Sequence, residues 1–124
     1  MRYVVDGMNV IGSRPDGWWR DRPGARRGLV QELAGMATED EVTVVFDGRP
    51  DPGEAEAAAD CGVSSRFAPG GPNAADDAIV EIVGADAQPD SLVVVTSDTD
   101  LTRRVEELGA AVIGVQAFRE RLAR

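Results

Sequence analysis

A chain of 124 residues with 43% hydrophobic content has the size and apolar fraction of one compact domain, so a single domain over residues 1–124 with a core between sheet and helices is expected. One cysteine and no histidine exclude an intrachain disulfide and a Cys/His zinc site, which leaves carboxylates as the metal-binding chemistry. The net charge of −9 opposes nucleic-acid binding by the chain as a whole, but residues 1 to 27 hold six arginines against three aspartates while the remainder holds seven against nineteen acids, so the N-terminal part is locally basic.

In chain order, the apolar β-branched runs predict strands over Arg2–Asp6, Glu41–Asp47, Val63–Phe67, Ser91–Thr96 and Ala111–Val115, of which the first, second and fourth are the most continuously apolar and belong at the centre of a sheet. Between and after them, helical spacing predicts helices over Gly24–Ala37, Gly53–Cys61, Asn73–Val83, Thr99–Leu108 and Gln116–Leu122. This alternation predicts an α/β sandwich with a parallel sheet and right-handed crossovers, whose ligand site lies outside the carboxyl ends of the strands. Two connections, Ile11–Arg27 and Phe67–Asn73, are rich in Pro and Gly and read as loops bordering that site.

Four segments, YVVDGMN, VVFDGRP, NAADDAI and VVVTSDTDL, each put an aspartate where a strand ends or a helix begins. Asp6, Asp47, Asp76, Asp98 and Asp100 thereby reach one rim of the sheet, and carboxylates gathered there repel one another unless a cation joins them. Each piece also has a plain reading. Asp6-Gly7 and Asp47-Gly48 are strings that make Asx turns, with Gly7 supplying an unusual backbone conformation. Asp76 and Asp77 complement a helix dipole behind an Asn73 cap. Ser97 and Asp100 have the spacing of a capping box. Asp76 shares a face with Ile79 and is preferred over Asp77 as a ligand, and Asp98 is the expected partner of Asp6.

Taken together and in this order, DGMN, FDG, AADDAI and TSDTD resemble the NYN branch of the PIN-like nucleases, most closely its YacP-like group. The resemblance implies a Rossmann-like three-layer sandwich with a mostly parallel five-stranded sheet of order 3-2-1-4-5. It implies a metal-dependent endoribonuclease with catalytic and metal-binding acids at Asp6, Asp76, Asp98 and Asp100, Asp47 as a further acid of the metal site, and Mg²⁺ or Mn²⁺ as cofactor. RNA, expected as a single strand, would meet Asn9, Ser97, Arg14, Arg20 and Trp18, with Arg22, Arg26, Arg27 and Trp19 close by. For the tryptophans the alternative is a clip fastening the loop to the body. With no histidine, general-base work falls to a carboxylate and a metal-activated water.

Ribosome association and a homodimer are left open. Phosphorelay receivers and haloacid-type phosphatases are disfavoured because every one of the thirteen basic side chains is arginine and both families use a lysine. An inactive RNA-binding or protein-interaction module and the toxin of a toxin–antitoxin pair remain as alternative functions. No apolar run reaches the roughly 18 to 20 residues of a membrane span, and Met1-Arg2 leads straight into YVVD, so no membrane partner and a cytoplasmic location are expected.

Overall fold

The computed structural model describes residues 1–71 and 73–124. Five strands, β1 (Arg2–Asp6), β2 (Glu41–Asp47), β3 (Val63–Ala68), β4 (Leu92–Val95) and β5 (Ala111–Ile113), form one all-parallel sheet of order β3-β2-β1-β4-β5. Among the described residues six helices cover it: α1 (Gly7–Gly12), α2 (Arg22–Ala34), α3 (Glu54–Asp60), α4 (Ala74–Ala85), α5 (Thr99–Glu107) and α6 (Val115–Leu122). None of the described helices is long and apolar enough to cross a membrane.

Alternation along each strand divides the core in two. Tyr3, Val5, Val44 and Phe46 pack with Val10, Leu29, Leu33 and Phe118 on the face covered by α1, α2, α3 and α6. Val4, Val45 and Val94 pack with Ile79, Val83, Leu101 and Val105 on the face covered by α4 and α5. Because both faces are buried, the central strands read as continuous apolar runs with no polar alternation, and each fully buried Val or Leu contributes about 1.5–3 kcal/mol relative to exposure.

The strand order reverses between β1 and β4, which pair directly with Val5 opposite Val95. Asp6 therefore ends the central strand at the topological switch point. On its other side it pairs with Val45 of β2.

The expected strands and five of the helices are present, with shifted ends. α2 begins at Arg22 because the Asp21 carboxylate accepts the Gly24 N–H at 3.0 Å and Pro23 fits the first turn. Part of the expected loop Ile11–Arg27 is thus ordered, as the end of α1, a 3-10 turn at Trp18–Arg20 and the start of α2. β5 stops at Ile113 because α6 starts at Val115. In the second expected loop β3 runs on to Ala68, and Pro72 lies outside the described residues.

α1 replaces the turn expected after Asp6. Its six residues include Val, Ile, Asn and two Gly, a composition poor in helix formers, and what holds it is burial of Val10 and Ile11 against the sheet. Gly7 is required here by space, in place of the unusual backbone angle expected: a Cβ on it would stand 2.6 Å from the Phe46 ring, and Gly7 is absent from the residues of positive φ. The missing side chain lets α1 lie directly on β2.

Candidate active site

Asp6 is the last residue of β1 and stands at the N-cap of α1, with only 5% of its surface exposed. The buried Thr96 hydroxyl donates to its Oδ2 at 2.9 Å, and the nearby Asn9 backbone N–H favours its charged form without making a cap hydrogen bond. Burial, joined by the charges of Asp76 and Asp98, outweighs these two influences and pushes the Asp6 carboxyl up to about 6.

Thr96 follows β4 and has a double role. While its hydroxyl donates to Asp6, the same oxygen accepts the Asp98 N–H at 3.1 Å, tying the carboxylate at the end of β1 to the backbone at the start of α5. The Asp98 side chain caps α5 by accepting the Leu101 N–H at 2.9 Å through Oδ1. The Ser97–Asp100 capping box does not form. Ser97 Oγ accepts the Val115 N–H at 2.9 Å and so holds the start of α6, and Asp100 pairs with Arg103 on the exposed side of α5.

Asn9 stitches α1 to the same turn, its Oδ1 accepting the Ser97 N–H at 2.8 Å. Its amide N–H groups remain for a ligand, and with Ser97, Ser13 and Gln116 they line a neutral polar groove beside the acids.

From the opposite side comes Asp76 in the first turn of α4, half-buried, its carboxyl raised above the usual range by burial and then by the Asp98 charge, with Arg104 pulling it back. Asp77 is exposed and pairs with Arg104 at 3.0 Å. Asp76 is accordingly the acid that shares a field with Asp6 and Asp98, as its helical phase suggested, while the charges of Asp77 and Asp100 reach it from the rim. Among the described residues, no three His, Cys, Asp or Glu side chains stand close enough to close around one ion. The structure gathers the acids into one electrostatic field and does not close them into a cage.

The remaining sequence candidates stand elsewhere. Asp47 is exposed at the end of β2 and lines a neighbouring cleft with Arg22, Arg26 and Arg49, where its charge acts on Arg26. Arg14 forms a two-pronged pair with Glu32, both contacts 2.6 Å. Arg26 is locked to Glu54 with both side chains almost fully buried. Trp18 packs against the core while Trp19 is 56% exposed, so the adjacent pair divides into a clip and a free face. The Arg22 guanidinium covers Trp18 and that of Arg20 covers Trp19, with 5.1 and 5.9 Å to the ring centroids. Thr96 was not singled out in the sequence, although its place directly after an apolar strand and two residues before an acid was a usable signal.

A family model for the YacP-like NYN domain matches residues 3–124, nearly the whole chain. The chain belongs to the YacP-like NYN domains, a nuclease-like family. Solved structures that share the fold include the following two. One is Rae1 (YacP) from Bacillus subtilis, 24% identical, covering 99% of this chain and 74% of that one with a TM-score of 0.79. The other is a point variant of the same protein, 22% identical, covering 98% and 74% with a TM-score of 0.77. No curated protein sequence matches significantly. In this NYN domain Asp6, Asp76 and Asp98 share one electrostatic field at the switch point of the sheet, and the ends that carry Asp6 and Asp98 are fixed by the hydrogen bonds of Thr96 and Asn9.

Proposed function

We propose that this NYN domain is a metal-dependent endoribonuclease that hydrolyses RNA phosphodiester bonds at the rim formed by Asp6, Asp76 and Asp98. The observation that carries the reading is the buried Asp6 carboxyl, pushed up to about 6 between two further acids. A site that raises carboxyl groups by burial and mutual charge is costly unless a cation or a proton-transfer role uses it.

The donor set fits a hard divalent cation such as Mg²⁺ or Mn²⁺. All candidate ligands are carboxylate oxygens, and an open arrangement suits an ion that keeps several waters and takes one or two carboxylates plus a substrate phosphate. Bound there, such a cation would offset the phosphate's negative charge and lower the pKa of water. Asp6 and Asp98 are best placed to hold it, since Thr96 fixes both ends of that pair. Asp76, with its raised carboxyl, is suited to take the proton of the attacking water in a chain without histidine. Asp100 stands one helical step outward, and its pair with Arg103 must open before it could join them.

The test is cleavage of a labelled single-stranded RNA by the purified protein in Mn²⁺, in EDTA, and by Asp98→Asn. Asn caps a helix as well as Asp does, so this variant keeps α5 while losing the charge. Cleavage in Mn²⁺ that disappears in EDTA and in the variant is the expected outcome, and wild-type cleavage by Asp98→Asn would sink the site assignment.

A further inference from the structure

A cleft that holds Asp47 is lined by segments that follow β1, β2 and β3: Met8 of α1, Arg22 at the start of α2, and Arg49, Gly70 and Gly71 of the loops after β2 and β3. Met8 also lines the groove of Asn9 and Ser97, so the two grooves adjoin at a residue that stands two positions after Asp6. Arg26 in this cleft is neutralised by Glu54. Arg22 and Arg49 are exposed and belong to none of the ion pairs among the described residues. In a chain of net charge −9, this cleft brings two such cations together. Arg22 lies against the Trp18 ring, which meets Trp19 edge to face at 5.9 Å, and Trp19, with Arg20 against its ring, is exposed.

The floor is bare backbone. Gly48, Gly70 and Gly71 have φ of +85°, +125° and +121°, and a Cβ on any of them would meet nothing within 4 Å. The conformation itself demands glycine, and the space over it is open, so a ligand backbone can lie close to the protein main chain.

We infer that this cleft is the path of a single-stranded RNA, with phosphates held by Arg22 and Arg49 and a base stacked on Trp19, leading past Met8 to the acid rim. The inference rests on the ribonuclease reading for its direction. Guanidinium groups take phosphate in two-pronged geometry and do so best when no carboxylate competes. An exposed indole takes the face of a base only when that base is unstacked, so the platform selects a single strand over a duplex, whose bases are already stacked on one another. Asp47 is the one acid lining the cleft among the described residues, and its charge acts on Arg26, which leaves Arg22 and Arg49 as the cations without a carboxylate partner.

Binding is read apart from cleavage, by fluorescence anisotropy of a labelled oligouridylate and of a duplex of equal length, in EDTA across a salt series. The wild type is expected to bind the single strand about tenfold more tightly than the duplex. Arg22→Gln and Arg49→Gln should each weaken single-strand binding about fivefold to tenfold and lower the slope of log K against log salt by about 0.7. Trp19→Ala should weaken it about tenfold with the slope unchanged, and Arg124→Gln should bind like the wild type. Arg49 lies in a loop outside the core, so its variant remains informative if Arg22→Gln disturbs Trp18; thermal unfolding checks both.

Equal binding of strand and duplex, wild-type affinity in all three cleft variants, or no binding by the wild type overturns the path. If the variants lose binding and the wild type never cleaves in Mn²⁺, the path stands and the nuclease reading fails. If the variants bind and cleave like an active wild type, the reverse holds.

Discussion

Replacing Asp6 by Asn should make the metal-free protein more stable at neutral pH, by an amount that depends on pH in a defined direction. In the folded chain the Asp6 carboxyl titrates at about 6, against 3.8 for an ordinary aspartate. A raised carboxyl favours folding while it is protonated. As pH climbs through the interval between those two values, the unfolded chain gives up its proton first and stability falls. The loss is complete above about 6. At about 1.36 kcal/mol per unit, the full loss approaches ~3 kcal/mol.

Asn is neutral at all pH and keeps one oxygen to accept the Thr96 hydroxyl, but it replaces the second carboxylate oxygen, near the Asn9 N–H, by an NH₂ donor, at about 1 kcal/mol. The net gain is therefore about 2 kcal/mol at pH 7.5, worth roughly 6–10 °C in Tm for a domain of this size, and it should shrink or reverse near pH 4. Urea unfolding in EDTA from pH 4 to pH 8, wild type and variant side by side, measures it. A variant less stable than the wild type at pH 7.5, or a difference that does not change with pH, would refute the account of Asp6 as a carboxyl strained by burial and by Asp76 and Asp98. Added Mn²⁺ should then stabilise the wild type and not the variant, because only a ligand that binds the folded state shifts its unfolding.

Two further substitutions test how the site is built. Gly7→Ala, which ordinarily favours a helix by about 1 kcal/mol, should instead cost about 1–3 kcal/mol because its methyl meets the Phe46 ring, as read by denaturant midpoint; a gain would show that α1 can shift off β2. Thr96→Val keeps the shape but removes the hydroxyl that serves both Asp6 and the Asp98 N–H. It should cost about 1–3 kcal/mol and weaken Mn²⁺ binding in calorimetry, whereas unchanged metal affinity would show that the hydroxyl is not needed to position the acids.

Much of the site could be read before the fold was known, because an apolar β-branched run that stops at an acid marks both a strand and its carboxyl end. Asp6 and Asp98 follow from that rule, and Asp76 from its phase relative to Ile79. Thr96 needed the structure: its hydroxyl meets a carboxylate 90 residues away, and no local pattern encodes that pairing. Arg14 looked free in a basic segment, yet Glu32, 18 residues on, claims both of its prongs. Ser97 and Asp100 had the spacing of a capping box, but the Val115 N–H took the serine and Asp98 took the cap. For Thr96, Arg14 and Ser97 a partner distant in sequence won over the local one, while the cap passed to the neighbouring Asp98.

The sequence by itself determined the parallel α/β architecture, its five strands and the acids at their ends, because hydrophobic period and strand punctuation are local properties that survive without a partner. Tertiary structure decided which acids share a field, which arginines are free and where α1 forms. Those depend on burial and on electrostatic distance, and both are set only when β1, β4 and the starts of α4 and α5 meet at the switch point of the sheet.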